Sequence, residues 1–258
     1  MIGDAQALLC GGASHVGRRR EANEDSLIVA PEIGLLAVAD GMGGHAAGEV
    51  ASRIVTDTLR EFIGGASSGL IDEPDASTGR SLSNDARRLS AAIRLANDRI
   101  FQSIAAREEL RGMGTTVVAA LVSPGKLTLA NVGDSRAYLL RGGALRQMSA
   151  DHSWVQEQID LGLLSAAEAH RHPFRNIVTR ALGSRQDIDA DLREEGLLPG
   201  DILLLCSDGL NSMVDDDAIR RILSACGDNP TAACDQLVDC ANAAGGEDNI
   251  TVIVARVA

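Results

Sequence analysis

Aromatic side chains are scarce in this sequence: tryptophan, tyrosine and phenylalanine together make up 2% of its 258 residues. A core must therefore be built from aliphatic side chains and alanine, and a 45% hydrophobic content is ample for one. Lysine is nearly absent, so positive charge rests on arginine, and the balance is strongly acidic, with a formal net charge of −12. That balance argues against nucleic acid or an anionic membrane as the main partner, because phosphate backbones demand a basic face. Long hydrophobic runs are missing too; none approaches the roughly 20 residues needed to span a bilayer. The opening MIGDAQALLCGG has no basic n-region and too short an apolar run for a signal peptide. Paired cysteines are also absent: the five, at positions 10, 206, 226, 234 and 240, are odd in number and form no C-x-x-C. They are expected to be reduced, packed thiols of a cytoplasmic protein.

What is present is patterned. Ser26 to Ala30 and Leu35 to Ala39 have strand length and character, and apolar residues recur at helical spacing from Ala46 to Phe62 and from Asn84 to Arg107. The polar, Gly/Ser/Pro-rich residues 64 to 81 between them form a loop. TTVVAALV, KLTLANV, RAYLL and ALRQM then follow as four strands, with SPG and RGG as tight separators. Strands joined this closely pair antiparallel. Residues 153 to 172 look helical, and two core strands lie at 201–209 and 249–257 with helices at 216–226 and 230–244 between them. With no repeat and no clean linker, residues 1–258 are expected to form one domain.

LLAVADGMGGHAAGEV, residues 35–50, fits a dinucleotide-binding turn in the spacing of Gly41, Gly43 and Ala46. That reading needs a second parallel strand ending in an acid about 20 residues on. The chain offers REFIGGASSGL there instead. The alternative is that Asp40 holds a metal. It is one of several acids at the ends of core strands: Glu24 and Asp25 before SLIVA, Asp134 after LTLANVG, Asp208 after ILLLCS and Asp248 before NITVIVA. A single strand-end aspartate is usually a turn former, but this many in one chain call for another account. Carboxylates without His or Cys among them suit Mg²⁺ or Mn²⁺ rather than Zn²⁺. Two such ions can lower the pKa of a shared water and neutralise a phosphoryl group under attack. Arg20, four residues before Glu24, is the candidate phosphate-gripping cation, since a guanidinium binds phosphate oxygens bidentately. Arg18 and Arg19 read as solvated charges.

RREANEDS, LLAVADGMGGHAAGEVAS, GMGTTVVAA, NVGDSRAYLLRGG, SADHSWVQEQIDLG, HPFRNIVTRALGS, LLLCSDGL and GGEDNITVIVA occur in that order along the chain. The sequence thereby resembles the type 2C metal-dependent serine/threonine protein phosphatases, most of all the bacterial single-domain branch, from about Gly11 to Val257. The resemblance implies an α+β fold, an α-β-β-α sandwich of two antiparallel sheets flanked by helices. It implies two Mn²⁺ or Mg²⁺ ions, with Asp40 bridging both, the Gly41 carbonyl and Glu24 on one, and Asp208 and Asp248 on the other. Asp134, with Asp208, would hold a third, weaker ion. Asp25 resembles the outer acid that orients the metal-bound water, Arg20 the substrate-phosphate arginine, and Asn249 a supporting residue behind the ligands. Residues 152–185 match a mobile flap beside the active site.

The implied reaction is hydrolysis of phosphoserine and phosphothreonine in proteins by a hydroxide bridging two metal ions, in opposition to a serine/threonine kinase. The chain is expected to act as a cytoplasmic monomer. One position departs from the wider family: eukaryotic members follow the Asp-Gly pair with a histidine thought to protonate the leaving alkoxide, and here, as in other bacterial members, it is Met42. His45 is then the candidate proton donor, with a metal-bound water as the alternative. His152, His170 and His172 read as flap or surface residues. Two other functions stay open: a catalytically silent phosphoprotein-binding module, and a hydrolase of small phosphoesters.

Overall fold

Runs such as LLAVA and ILLLC are apolar at every position, which suits a strand only when both its faces are covered. The structure, a computed structural model, describes residues 8–43, 47–65, 82–226 and 228–258. It contains two five-stranded sheets. The first runs β1 (Leu8–His15), β12 (Ile250–Val257), β11 (Ile202–Cys206), β8 (Arg136–Arg141), β9 (Ala144–Gln147). The second runs β10 (Asp191–Gly196), β7 (Lys126–Val132), β6 (Val117–Ser123), β3 (Leu35–Ala39), β2 (Ser26–Ala30). All neighbours pair antiparallel.

Alternate side chains along each strand serve two different cores. Leu36, Val38, Val118 and Leu129 of one sheet face Leu139, Leu203, Leu205 and Ile253 of the other. The opposite face of the second sheet, with Leu35, Ala37 and Val117, is covered by α1 (Ala47–Gly64) and α2 (Asn84–Ala106) through Val55, Leu59, Leu89 and Ile93. The outer face of the first sheet, with Leu204 and Val252, is covered by α6 (Asp216–Cys226) and α7 (Pro230–Ala243) through Ile219, Leu223 and Leu237. The result is the α-β-β-α sandwich that the resemblance implies. The cores are aliphatic, as the composition requires, with Tyr138 the exception: it is fully buried, and its hydroxyl donates to Asp216 and accepts from Arg136. The cysteines are free thiols, and Cys206 and Cys234 are buried.

The structure departs from the sequence reading in three places. β1 and β10 are strands the hydrophobic pattern does not announce. The helical stretch expected over 153–172 breaks into α3 (Trp154–Asp160) and α4 (Ala166–His170), separated by a turn in which Gly162 has a φ of +71°. A short helix α5 (Asp208–Asn211) also begins at Asp208, where the sequence reading continues the 201–209 strand. Most of the expected loop over 64–81 lies outside the described residues.

Candidate metal centre

Antiparallel pairing carries the acids to one end of the sandwich. Ser26 pairs with Ala39, so Glu24 and Asp25 before β2 lie beside Asp40 after β3. β6 starts at that end and β7 finishes there, which places Asp134 in the turn that follows. In the other sheet Cys206 pairs with both Arg136 and Val252, so the end of β11 and the start of β12 bring Asp208 and Asp248 to the same edge.

Hydrogen bonds from distant segments fix each position. The Asp40 carbonyl accepts from the Thr116 N–H at 2.9 Å and the Thr115 hydroxyl at 2.8 Å, while the Thr116 hydroxyl lies 3.2 Å from the Asp40 N–H. Gly41 pairs with Thr115 in a two-residue ribbon, β4 (Gly41–Met42) against β5 (Gly114–Thr115). A Cβ on Gly41 would meet the Gly48 carbonyl and lie 2.5 Å from the Glu24 carbonyl oxygen. Glycine here lets three segments of the site close on one another. Asn249 organises the loop before β2: its Oδ1 accepts from the Glu24 N–H at 2.8 Å, and its Nδ2 donates to the carbonyls of Val16 and Ala22 at 2.9 and 3.0 Å. The Ser207 hydroxyl donates to Asp25 Oδ2 at 2.8 Å. Thr115, Thr116, Ser207 and Gly48 are supports that the sequence reading missed.

These carboxyls are poorly solvated and close to like charges. Burial, with contributions from Asp208 and Asp248, pushes Asp25 up to about 7. Burial and Asp208 push Asp134 to about 7, and burial and Asp248 push Asp208 to about 6. Asp40 is raised well above the ordinary carboxylate value by burial and by Asp25, Asp208, Asp134 and Asp248 together. Burial also raises Glu24, against the opposing pull of Arg20. Asp25 Oδ1 and Asp208 Oδ1 are buried without a hydrogen-bond partner. Among the described residues no three of the acids close around one common point. An all-oxygen donor set with orphaned buried oxygens and unrelieved mutual repulsion nevertheless fits hard divalent cations.

Arg20 reaches this cluster: its Nη2 donates to Asp248 Oδ2 at 2.6 Å, with the arginine side chain 55% exposed. The guanidinium expected for phosphate thus pairs here with Asp248, which the resemblance implies as a metal ligand. Arg18 and Arg19 are exposed, as expected. Met42 is half-buried in β4. His45 lies outside the described residues. A cleft of about 610 Å³ separates Asp134, Asp208 and Asp248 from Ser153, Arg171 and Arg175 of the expected flap. Within that flap segment Trp154, His172 and Phe174 pack against one another, tilted or edge-on, with ring centroids 4.8 to 5.4 Å apart. His152, expected as a flap or surface residue, is 7% exposed at the base of the expected flap segment.

The sequence matches the family model for protein phosphatase 2C over residues 11–239. It is 39% identical over 241 residues to the serine/threonine protein phosphatase PstP of Mycobacterium tuberculosis, covering 93% of this chain and 43% of that protein. It is also 38% identical over 245 residues to the serine/threonine phosphatase stp of Listeria monocytogenes, covering 92% of this chain and 91% of that one. The crystal structure of the PstP catalytic domain in complex with two manganese ions superposes with a TM-score of 0.82 at 38% identity, covering 96% of this chain and 97% of that one. The chain therefore belongs to the protein phosphatase 2C family.

Proposed function

We propose that this chain is a metal-dependent protein phosphatase that hydrolyses phosphoserine and phosphothreonine in protein substrates. The observation that carries the reading is the convergence of Glu24, Asp25, Asp40, Asp134, Asp208 and Asp248 at one edge of the sandwich with Arg20. In this reading Asp40, Glu24 and the Gly41 carbonyl hold one Mn²⁺ or Mg²⁺ ion, and Asp40, Asp208 and Asp248 the other. Asp134 and Asp208 hold a third and weaker one. The chemistry such ions supply is Lewis acidity: a water ionised near neutral pH and charge neutralisation on the phosphoryl oxygens.

The rest falls to the chain. Asp25, fixed by Ser207, accepts a hydrogen bond from the attacking water and aims it in line with the leaving oxygen. Arg20, half-exposed, leaves Asp248 for the substrate phosphate and orients it bidentately. Asn249 keeps the Glu24 loop in register throughout. His45 is assigned the proton delivered to the leaving alkoxide, Met42 having none to give; undiminished turnover of phosphoserine by His45→Ala would remove that assignment. Residues 152–185 act as a flap over the cleft, within a single catalytic domain. The protein works as a cytoplasmic monomer opposite a cognate serine/threonine kinase. Among the described residues no helix is long and apolar enough to cross a membrane.

Phosphate release from a phosphothreonine peptide, measured with Mn²⁺ and with EDTA, tests the core of the reading. Turnover with Mn²⁺ that EDTA abolishes is the expected result. Absence of turnover in both, with Mn²⁺ binding intact by calorimetry, would instead favour a silent binding module.

A further inference from the structure

His152 sits where the base of the flap meets the turn that carries Asp134, and we propose that it is a positioning residue for that carboxylate. The proposal rests on the reading of Asp134 as a metal ligand. Its Nδ1 accepts the Gly133 N–H at 2.9 Å, and its own backbone N–H donates to the Gly133 carbonyl at 3.0 Å. Both backbone polar groups of the residue preceding Asp134 are thus engaged by one histidine. Asn131 completes the staple, its Nδ2 donating to the carbonyls of Gly133 at 3.2 Å and Ala150 at 2.9 Å. The turn has little freedom elsewhere: Gly133 has a φ of +113°, and a Cβ on it would lie 2.5 Å from the Thr116 side chain.

The other side of His152 belongs to the flap. Its carbonyl accepts from the Thr179 N–H at 2.8 Å, and the Trp154 N–H donates to the Ile177 carbonyl at 2.8 Å. The two ends of the flap segment are therefore closed on each other at this residue. Because Nδ1 accepts a hydrogen bond, the ring proton is on Nε2. Nε2 lies 3.1 Å from Asp191 Oδ2 of β10, although the pair is not aligned as a hydrogen bond. An apolar side chain of similar size would fill the same space and leave the Gly133 N–H without a partner. The acceptor, rather than the bulk, is therefore what the turn requires. Displacement of the flap base is transmitted to the turn before Asp134 through this imidazole together with the His152 backbone and Asn131 bonds, and the coupling runs equally in the other direction.

Two variants separate acceptor from bulk. His152→Asn keeps an acceptor near the Nδ1 position, whereas His152→Gln carries its amide out toward the Nε2 position. In the metal-free protein, exchange of the Gly133 amide is expected to quicken roughly tenfold in His152→Gln, the scale of one lost buried hydrogen bond, and to stay near wild type in His152→Asn. The weakest Mn²⁺-binding step, read by calorimetry, should follow the same order. Equal behaviour of the two variants, or wild-type Gly133 exchange in His152→Gln, overturns the proposal while leaving the phosphatase reading intact. A Gly133 effect with no change in Mn²⁺ binding overturns the metal role of Asp134, and the proposal with it. The unsubstituted protein supplies a test that needs no variant: imidazole ¹⁵N spectra should show an unprotonated Nδ1 and a protonated Nε2 at His152. A protonated Nδ1 there refutes the proposal outright.

Discussion

Replacing Asp208 with asparagine keeps the shape of the side chain and removes its charge, and the consequence changes sign with metal. In the metal-free protein Asp208 is pushed from the usual carboxylate value of 3.8 to about 6, by burial first and the Asp248 charge second. A raised native pKa means that the folded state holds a proton the unfolded chain has released. Stability conferred by that proton is complete below the unfolded value and is lost as pH rises through about 6. A shift of about two units corresponds to a ceiling of roughly 3 kcal/mol. Asp208 interacts strongly with its acidic neighbours, and part of the cost belongs to the group rather than to one residue, so about 1 to 2 kcal/mol is the expected share of Asp208 alone. For a chain of this size that is a rise in Tm of roughly 3 to 6 °C. Asp208→Asn should therefore melt higher than the parent in EDTA at about pH 8 and lose that advantage near about pH 5, by differential scanning fluorimetry. Adding Mn²⁺ should reverse the order, because the parent gains binding free energy that the variant has forfeited. Phosphatase turnover of the variant should collapse while its fold persists. An Asp208→Asn protein that melts lower than the parent in EDTA, equally at both pH values, would refute the idea that repulsion among these acids is stored in the fold. Retained turnover would refute the ligand assignment.

Other variants probe neighbouring parts of the structure. Arg20→Ala should raise KM for a phosphothreonine peptide far more than it lowers kcat, and a pure kcat loss would mean that Arg20 acts in the transition state instead. Because its pair with Asp248 is half-exposed, the same change should alter Tm by no more than the scale of about 1 kcal/mol. Gly41→Ala should weaken Mn²⁺ binding and destabilise together, since its methyl would lie 2.5 Å from the Glu24 carbonyl; a normal melt with normal calorimetry would contradict that packing. Asp151→Asn breaks a bidentate pair with Arg136, at 2.9 and 2.6 Å, in which the aspartate is 9% exposed. It should cost about 3 kcal/mol with or without Mn²⁺ by chemical denaturation, in contrast to the metal-dependent sign expected at Asp208.

Which of these features the sequence displays depends on how each is held. β3 and β11 are visible because both their faces are buried, which forces continuous apolar runs. β1 and β10 are hidden because main-chain pairing holds them. LLCGGASH and DLREEG are edge strands, each with several exposed positions, so neither carries a continuous apolar run, and the charges of DLREEG are of the kind that discourages unwanted edge pairing. The acids of the site are visible for a related reason: each directly adjoins a legible strand or the turn leaving it, so locating the strands locates the ligands. Of the residues that aim them, Asn249 is reached only through the family resemblance and Ser207 not at all, because their partners are remote. Asn249 serves Glu24 across 225 positions, and Ser207 serves Asp25 across 182. A lone serine or asparagine carries no local pattern that distinguishes such a contact from a turn.

His152 makes the same point most sharply. In SADHSW it stands among polar residues with the composition of a surface loop. Its burial follows from chain reversal, since the segment after β9 returns to cover the turn after β7, and the imidazole fills the space between them. Composition near a residue reports what lies beside it along the chain, whereas the environment of an active-site support is set by what the topology folds onto it. The carboxylates of a centre like this one can therefore be read from strand ends alone, whereas supports such as Ser207 and His152, which no resemblance singles out, become readable only once the strand order is known.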